Sequence, residues 1–457
     1  MKETYSYSAG IEIKYRCGVL VVGGGPAGVM AAVSAAREGA DVILAERFGR
    51  VGGMMTVGNV GPLLGETCRG TLADEFIARM RKLDGDPELH RTRNGLEQPV
   101  DREVAGHVLT EMLKEAGVKL LLTAAFADVM KDGAGRVSGC IFTSQQGLFG
   151  VGADITVDCT GDGAVAAAAG AAYGIGIEEI EAGGSYEPGE DNIGSLQPMT
   201  LEFTLCGVDD SVAISAWGGT DPVVIPSGEF AGMQYRELCK MKNREGELPE
   251  NISIVRLHRT GRPGEMNVNA TQANGFDPFD PGSLGEAEAL LSKQIGICVD
   301  FLRKYIPGYE NCRVKSSSDT VGIRESRRIA GIERVTDADL EEGRHRDDAV
   351  VHDAWFLIDI HNPKGAGQAE GHAHDAKAYD IPYGALVPSG TDGLLVAGRC
   401  ISGSHRAHAS YRVMIICMAT GEAAGVAAAI ASATGSEPAD IRPADVRAIL
   451  TSRGVEL

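Results

Sequence analysis

The stretch CGVLVVGGGPAGVMAAVSAAREGADVILAE, Cys17 to Glu46, decides the fold. Val19 to Val22 form a short continuous apolar run, as expected of a parallel strand buried on both faces. Gly23, Gly25 and Gly28 follow in G-x-G-x-x-G spacing. The first allows a tight turn, the second lets a pyrophosphate approach the backbone, and the third lets helix and strand pack closely. An alanine-rich helical stretch runs to Glu38, and Gly39 stands where a left-handed residue ends a helix. The next strand, DVILAE, ends in Glu46, the acidic residue expected to hold a ribose hydroxyl while the pyrophosphate rests on the helix N-terminus. Strand, turn, helix and strand together point to a dinucleotide, but do not separate NAD from FAD.

Bulk properties narrow the class. A chain of 457 residues with 44% hydrophobic content suits one large or two interleaved globular domains. A formal charge of −20 disfavours nucleic acid, whose phosphates call for clustered Lys and Arg. It speaks against a tRNA-modifying protein sharing the same N-terminal motif. The first 17 residues lack the apolar run of a signal peptide, and the apolar stretch from Val19 to Ala36 is interrupted by glycines and Pro26. Ten cysteines stand singly with no CxxC pair, which fits free thiols in a reducing cytoplasm. The expectation is a cytoplasmic protein with no membrane partner.

Later segments carry a resemblance. RVGGMMTVGNVGP places Gly52 and Gly53 just beyond the acid at Glu46. ITVDCTGDGAVAAAAG gives an apolar strand, the turn Thr160-Gly161-Asp162-Gly163 and a small-residue helix; DGLLVAGRCISG repeats the strand and glycine turn near the C-terminus. This order resembles the glutathione-reductase-like FAD proteins. More closely, the chain is similar to a family of bacterial FAD-dependent oxidoreductases carrying GGMMTVGNVGP, QPMTLEFTLCGVD, VGIRESRRI, DIHNP, IPYGALVP and LLVAGRCIS. The matches run from about Cys17 to Ala431, and many members of that family act on unassigned substrates.

The resemblance implies FAD and a set of residues to hold it. Gly23, Gly25, Pro26, Ala27 and Gly28 would cradle the pyrophosphate, and Glu46 the adenosine ribose, with Arg47 beside it. Gly52, Gly53, Met54 and Thr56 would approach the ribityl chain and ring; Phe126 and Ala127 would meet adenine. Thr160 and Gly161 would lie near the ADP part, and Gly398 and Arg399 near the flavin phosphate. Arg399 departs from the acidic residue many related proteins have there, although a guanidinium can pair with phosphate directly.

The expected fold class is α/β: a discontinuous Rossmann-like FAD-binding domain of glutathione-reductase type, with an inserted α+β substrate domain containing a β-sheet. The FAD-binding parts span 1–170 and 384–457, and the substrate domain 171–383. In the insertion, GIGIEEIEAGGSYEPGEDNIG reads as an acidic surface loop, and TLEFTLCGVD and DDAVVHDAWFLIDIHN as strands of a sheet lid. SLGEAEALLSKQIGICVDFLRKYIPG reads as a helix capped by Ser283, with Glu286 completing the S-x-x-E box and Pro307 ending it. EPADIRPADVRAILTSRGVEL reads as a short terminal helix.

GGMMTVGNVG has no cysteine where disulfide reductases of related fold keep two, so dithiol relay chemistry is not expected. A second G-x-G-x-x-G between strand and helix, which a resident NAD(P)H domain needs, is missing; GAGQAEG has glycines without that context. Hydride arriving at flavin N5 leaves negative charge on the N1–C2=O edge, which favours a helix N-terminus and cations there. GSHRAHASYRVM, Gly403 to Met414, has that composition. By the resemblance Ala409 and Ser410 would offer backbone N–H groups under the pyrimidine. His405 and His408 would then face substrate or flavin, or merely cap the helix, while Arg412 reads as an ion-pair partner.

Arg324 in VGIRESRRI is a candidate to clamp a carboxylate or polarise a carbonyl, and His361 in DIHNP a candidate acid–base group. Tyr383 reads as packing, and His372 and His374 of GHAHD offer too few ligands for a metal. The leading expectation is therefore a hydride passed between flavin N5 and a small polar molecule whose C–H adjoins an O–H or N–H. Catalysis would rest on His405, His361 and Arg324. The alternatives are reduction of an activated alkene or ketone, and a flavoprotein subunit that passes electrons to a partner protein. The electron acceptor is unassigned and homo-oligomerisation is left open.

Overall fold

β1 (Ile13–Val22) turns at Gly23 into α1 (Pro26–Arg37), and β2 (Val42–Glu46) returns parallel to β1 with Val19 beside Val42 and Val22 beside Ala45. This computed structural model describes residues 10–84, 90–92, 95–177, 194–215, 223–370 and 376–457, together with 5 and 8. The acidic loop at 178–193 and the GHAHD segment at 371–375 lie outside the described residues. The sheet continues through β3 (Lys119–Leu122), β4 (Ala125–Lys131), β5 (Val137–Ser144) and β6 (Gly147–Asp158), in the order β3-β2-β1-β6-β5-β4. β1 therefore lies near the middle, and Val19 to Val22 are buried on both sides, as their continuous apolar run requires.

The turn after β1 needs its glycines for space. A Cβ on Gly23 would fall 2.5 Å from the Cys159 carbonyl oxygen, and Gly23 has φ +100. A Cβ on Gly28 would fall 1.8 Å from the Gly23 oxygen, so α1 packs backbone-on-backbone against its own entry turn.

An antiparallel four-stranded sheet forms the second unit, built from β7 (Phe203–Cys206), β8 (Arg256–Arg259), β9 (Glu265–Asn269) and, beyond α2 (Pro281–Tyr305), β10 (Arg313–Ser317). Its order is β8-β9-β7-β10. Alternation gives it two different faces. Phe203, Leu205, Leu257, Met266 and Val268 join Leu291, Cys298 and Leu302 of α2 in one apolar core. The opposite face pairs Arg256 with Asn269, and His258 with Asn267 beside Thr204; it is polar, and most of it is buried. It lies against the loop after the first glycine pair, where Asn267 Nδ2 donates to the Asn59 carbonyl at 3.0 Å and Ser318 Oγ to Gly58 at 2.6 Å.

Three sequence readings change here. α2 starts at Pro281 with Asp280 as its cap, accepting from the Ser283 N–H at 2.7 Å, so Ser283 is not the cap. Pro at the first helical position is preorganised for the helix and gives up no needed N–H, which favours the Asp280-Pro281 start. The stretch from 347 to 362 does not join the sheet lid. Ala349–Ala354 pairs with Tyr379–Pro382 and Ile360–His361 with Gln368–Glu370, the first strand ending beside Asp353 at φ +52. Finally, residues 329–383 contribute Ile329, Val350, Tyr379 and Tyr383 to the first apolar core, while the second core runs from Met199 to Val321. The sheet-bearing insertion is therefore shorter than 171–383.

The chain returns through β11 (Leu394–Val396), parallel to β6, then α3 (His405–Tyr411) and α4 (Met414–Thr434). α4 is long and apolar enough to cross a membrane, but 89% of its most apolar window is buried inside the protein, as befits a core helix. It crosses α1 closely: a Cβ on Gly421 would sit 2.1 Å from the Ala27 oxygen, and one on Gly425 2.2 Å from the Ala31 oxygen. The terminal helix expected from the sequence is present at Pro443–Ser452.

Glu422 of α4 accepts the Leu72 N–H at 2.8 Å, meeting an orphan donor at the start of helix Leu72–Asp84. Burial raises its carboxyl to about 7, against the lowering effect of that hydrogen bond. The folded chain then keeps a proton that the unfolded chain releases near 4.5, so this contribution to stability falls as pH rises through that window. Glu422→Gln, which keeps the acceptor oxygen, is expected to gain about 2–3 kcal/mol over the parent at pH 8 and little at pH 5 in denaturant melts. Parallel pH profiles for the two proteins would refute this. Gly421→Ala should cost about 1–3 kcal/mol by the same measurement, because a backbone carbonyl cannot step aside.

Candidate active site

The N-terminus of α1, the tip of β2, the turn after β6 and the start of α4 enclose a cavity of about 310 Å³. Gly23, Gly25, Pro26 and Ala27 form one wall. A Cβ on Gly25 would meet nothing within 4 Å, so backbone is open to the cavity at that point. No side chain caps α1 and no acid stands in its first turn, leaving its dipole and first N–H groups for an anion. Glu46 is also on the wall, its carboxylate held by the N–H groups of Gly24 at 2.5 Å and Phe48 at 2.9 Å, and its pKa raised by burial. Open backbone, a free helix N-terminus and a fixed acid at the strand tip suit a dinucleotide's diphosphate and ribose.

Arg47, Gly53, Met54, Phe126, Thr160, Gly161, Gly398 and Arg399 also line the cavity. Gly28, Gly52, Thr56 and Ala127 do not. Gly28 is spent on the contact with Gly23. Gly52, at φ +107, donates its N–H to the Gly24 carbonyl at 2.7 Å, and Thr56 Oγ1 bonds the Val51 carbonyl, so both brace the Gly53 turn from behind. Beside Phe126 the wall is made by Ala124 and Ala125 instead of Ala127.

Arg399 lines the cavity and is also tied to the protein: its guanidinium donates to the Gly161 carbonyl at 2.9 Å, the Ile323 carbonyl at 2.5 Å and Asp162 at 2.5 Å, joining two chain segments. Ala409 and Ser410 stand off the cavity wall. Both are buried within α3, and Ser410 Oγ bonds the Phe356 carbonyl; neither reaches the cavity. Arg412, Met414 and Cys417 stand there, so the helix end that meets the cavity is that of α4.

Next to Arg412 lies a buried polar cluster beneath the polar face of the sheet. Arg412 Nη2 donates to the Gln197 side-chain oxygen at 3.3 Å and to Asp359 at 3.0 Å (carbonyl) and 3.2 Å (carboxylate). The His361 N–H donates to the same Gln197 oxygen at 3.1 Å, and His361 Nε2 lies 3.4 Å from the Asp359 carboxylate. Arg324 is anchored by the Pro198 carbonyl at 2.6 Å and Asn269 at 3.2 Å. The structure thus brings two of the expected catalytic residues, His361 and Arg324, into one group.

Electrostatics within the cluster are uneven. Burial and the neighbouring Arg324 lower His361 to about 3, so its imidazole is neutral. Burial works against the Asp359 charge, but His361, Arg412 and Arg256 outweigh it and hold the carboxyl below the usual range. Burial, then Arg412, lowers Arg324 to about 10. With Nε2–H donating to Asp359, His361 Nδ1 presents a lone pair, and it has no hydrogen-bond partner among the described residues.

His405 is elsewhere. Its Nδ1 bonds Glu325 at 2.8 Å, and Glu325 also holds the fully buried Arg328 at 2.8 Å. Burial would raise Glu325, but His405 and the nearby charges overcome it and hold it at about 2. His405 therefore completes a buried ion network under α3 and does not line the cavity. His408 is buried with its ring edge-on to Tyr411 at 5.6 Å. Tyr383 spends its hydroxyl on the Pro438 carbonyl at 2.8 Å.

Sequence reasoning missed Arg256, Gln197, Glu202 and Asp359. The signal was available in TLEFTLC and RLHR, where polar residues alternate with apolar ones inside strands too apolar to face water. Outside this region, His345, His352 and Asp353 bring ligand atoms within 4.8 Å of one another, although both imidazoles already engage Asp380.

A family model described as FAD dependent oxidoreductase matches residues 18–450, nearly the whole chain. No curated protein matches it. Among solved structures, a geranylgeranyl bacteriochlorophyll reductase-like protein from Thermoplasma acidophilum is similar at 12% identity and TM-score 0.47, over 97% of this chain and 84% of that one. A flavin-dependent brominase is similar at 13% identity and TM-score 0.48, over 95% and 84%. A p-nitrophenol 4-monooxygenase from Pseudomonas putida DLL-E4 is similar at 12% identity and TM-score 0.45, over 97% and 88%.

His405→Ala is expected to remove a charge-assisted hydrogen bond worth about 2 kcal/mol, read as a lower denaturant midpoint. The flavin spectrum and the rate of flavin reduction should stay close to the parent's in the fraction that folds. A hundredfold slower reduction with unchanged stability would return His405 to the reacting centre.

Proposed function

The chain belongs to the FAD dependent oxidoreductase family and binds FAD, and on that premise we propose that it oxidises a small polar molecule with His361 as the base. Oxidation of an alcohol or amine takes a hydride from carbon and a proton from the adjacent O–H or N–H, leaving C=O or C=N. When bound, FAD supplies the two-electron acceptor at N5 of its ring. The chain's own residues supply the rest.

The observation that carries this reading is the His361 ring. It is neutral, its Nδ1 lone pair is unengaged, and its other nitrogen faces an ionised Asp359. A base must be unprotonated before the substrate arrives, and a carboxylate behind it steadies the imidazolium that forms. Arg324, held on two backbone and side-chain oxygens, keeps positive potential beside the same point and would stabilise oxygen as its proton leaves. Arg412 links this group to the cavity wall, so proton acceptor and cofactor site adjoin. The same residues run in reverse for reduction of a carbonyl.

Anaerobic bleaching of the FAD-loaded protein with sugars, hydroxy acids and amines tests the reaction. His361→Ala should bleach about 10²–10⁴-fold more slowly with an unchanged oxidised spectrum. Because His361 is neutral above about pH 3, the rate should not fall through its protonation between pH 8 and pH 5. Bleaching of His361→Ala at the parent's rate would reject the assignment, as would an acid limb near 6.5 that disappears in that variant.

A further inference from the structure

Arg256 stands on β8 in the buried polar face of the sheet, directly across from Asn269, the residue that anchors Arg324. It is 8% exposed, and its guanidinium makes no hydrogen bond or ion pair to any described residue. Asp359, Arg236 and Glu202 act on its charge, and the shared neighbour Asn269 puts it beside Arg324. A mostly buried guanidinium left without a protein partner is costly, and a bound anion would complete it.

The surrounding groups are short of anions. Arg256, Arg324 and Arg412 bring three guanidinium groups. Asp359 is held ionised against them, while burial pushes the Glu202 carboxyl, which also faces Arg256 and Arg324, up to about 7. Gln197 Nε2 and Arg412 Nε are buried donors without hydrogen-bond partners, and Glu202 Oε2, Asn267 Oδ1 and His361 Nδ1 are buried acceptors without them. His258 of the same face already lies 3.7 Å from Glu97, so that imidazole has its own counter-charge.

We propose that the substrate carries a carboxylate, gripped by Arg256 through its planar N–H fork, with Arg324 and Arg412 supplying the field and Gln197 a neutral donor. The substrate class is then a hydroxy acid or amino acid, its reacting carbon next to the clamped group and its O–H or N–H toward His361. A carboxylate matches the fork of a guanidinium with two parallel bonds, and its charge offsets part of the cluster's positive excess. This inference rests on reading the cluster as the site of hydride transfer.

The test uses the full chain loaded with FAD, titrated anaerobically with acetate, glycolate, lactate, succinate and alanine, each against its methyl ester. A saturable change in flavin absorbance with at least one acid, and at least tenfold weaker binding of its ester, is expected. Arg256→Gln should weaken the acid about 10–100-fold and leave the ester unchanged, with Arg256→Lys in between. The oxidised flavin spectrum reports that each variant is folded. No perturbation by any acid with the flavin seated, equal binding of acid and ester, or unchanged affinity in Arg256→Gln would overturn the carboxylate. Acids that bind but never bleach the flavin would uphold the clamp and sink the proposed reaction. A neutral alcohol that bleaches it equally fast in parent and Arg256→Gln would do the opposite.

Discussion

Three backbone approaches too close for any side chain hold the cofactor end of the molecule together. Gly28 brings α1 onto the carbonyl of Gly23, and Gly421 and Gly425 bring α4 onto the carbonyls of Ala27 and Ala31. With α1 pinned on both sides, its uncapped N-terminus is fixed between the Glu46 carboxylate and the turn at Thr160 and Gly161. Packing at that distance needs small apolar residues on every side, which accounts for the alanine and glycine content of α4 and its burial all round. It also accounts for Arg399: the strand–turn it belongs to lies close enough to Gly161 for its guanidinium to be absorbed by backbone carbonyls.

The second unit depends on a sheet with unlike faces. Phe203, Leu257 and Val268 pack with α2 in its core. The opposite face buries Arg256 and Asn267, with Asn269 half-buried beside them, at a desolvation cost, and meets the cofactor domain at Asn59. Dense buried charge at such a junction lowers both titrations. The imidazole of His361 is kept neutral and the carboxyl of Asp359 ionised a few ångströms away. Strongly perturbed titrations in a buried cluster mark a candidate functional site.

The cofactor cradle was legible because its information is local. Gly23, Gly25, Gly28 and Glu46 lie within one strand–turn–helix–strand unit, and each answers a steric or electrostatic demand of that unit. The catalytic cluster was only half legible. His361 and Arg324 stood out by residue type, and Asp359 lies two residues before His361, but Arg256 and Gln197 join them from distant elements that only tertiary packing makes neighbours. The basic stretch from Gly403 misled in a specific way. His405 faces inward to Glu325, a partner eighty positions earlier. The helix end that meets the cavity comes one break later, at Val413, where α3 stops and α4 begins. At α2 the local signals competed, and Asp280-Pro281 outweighed the S-x-x-E box that Ser283 opens.

The cavity takes walls from Gly23 near one end of the sequence and from Cys417 nearly four hundred positions later. A ribosome that has released the first strand and helix has therefore made a nucleotide cradle with one side open. Until α4 emerges and docks, α1 exposes the backbone groove meant for Gly421 and Gly425, and the nascent polypeptide has no closed seat for its prosthetic group.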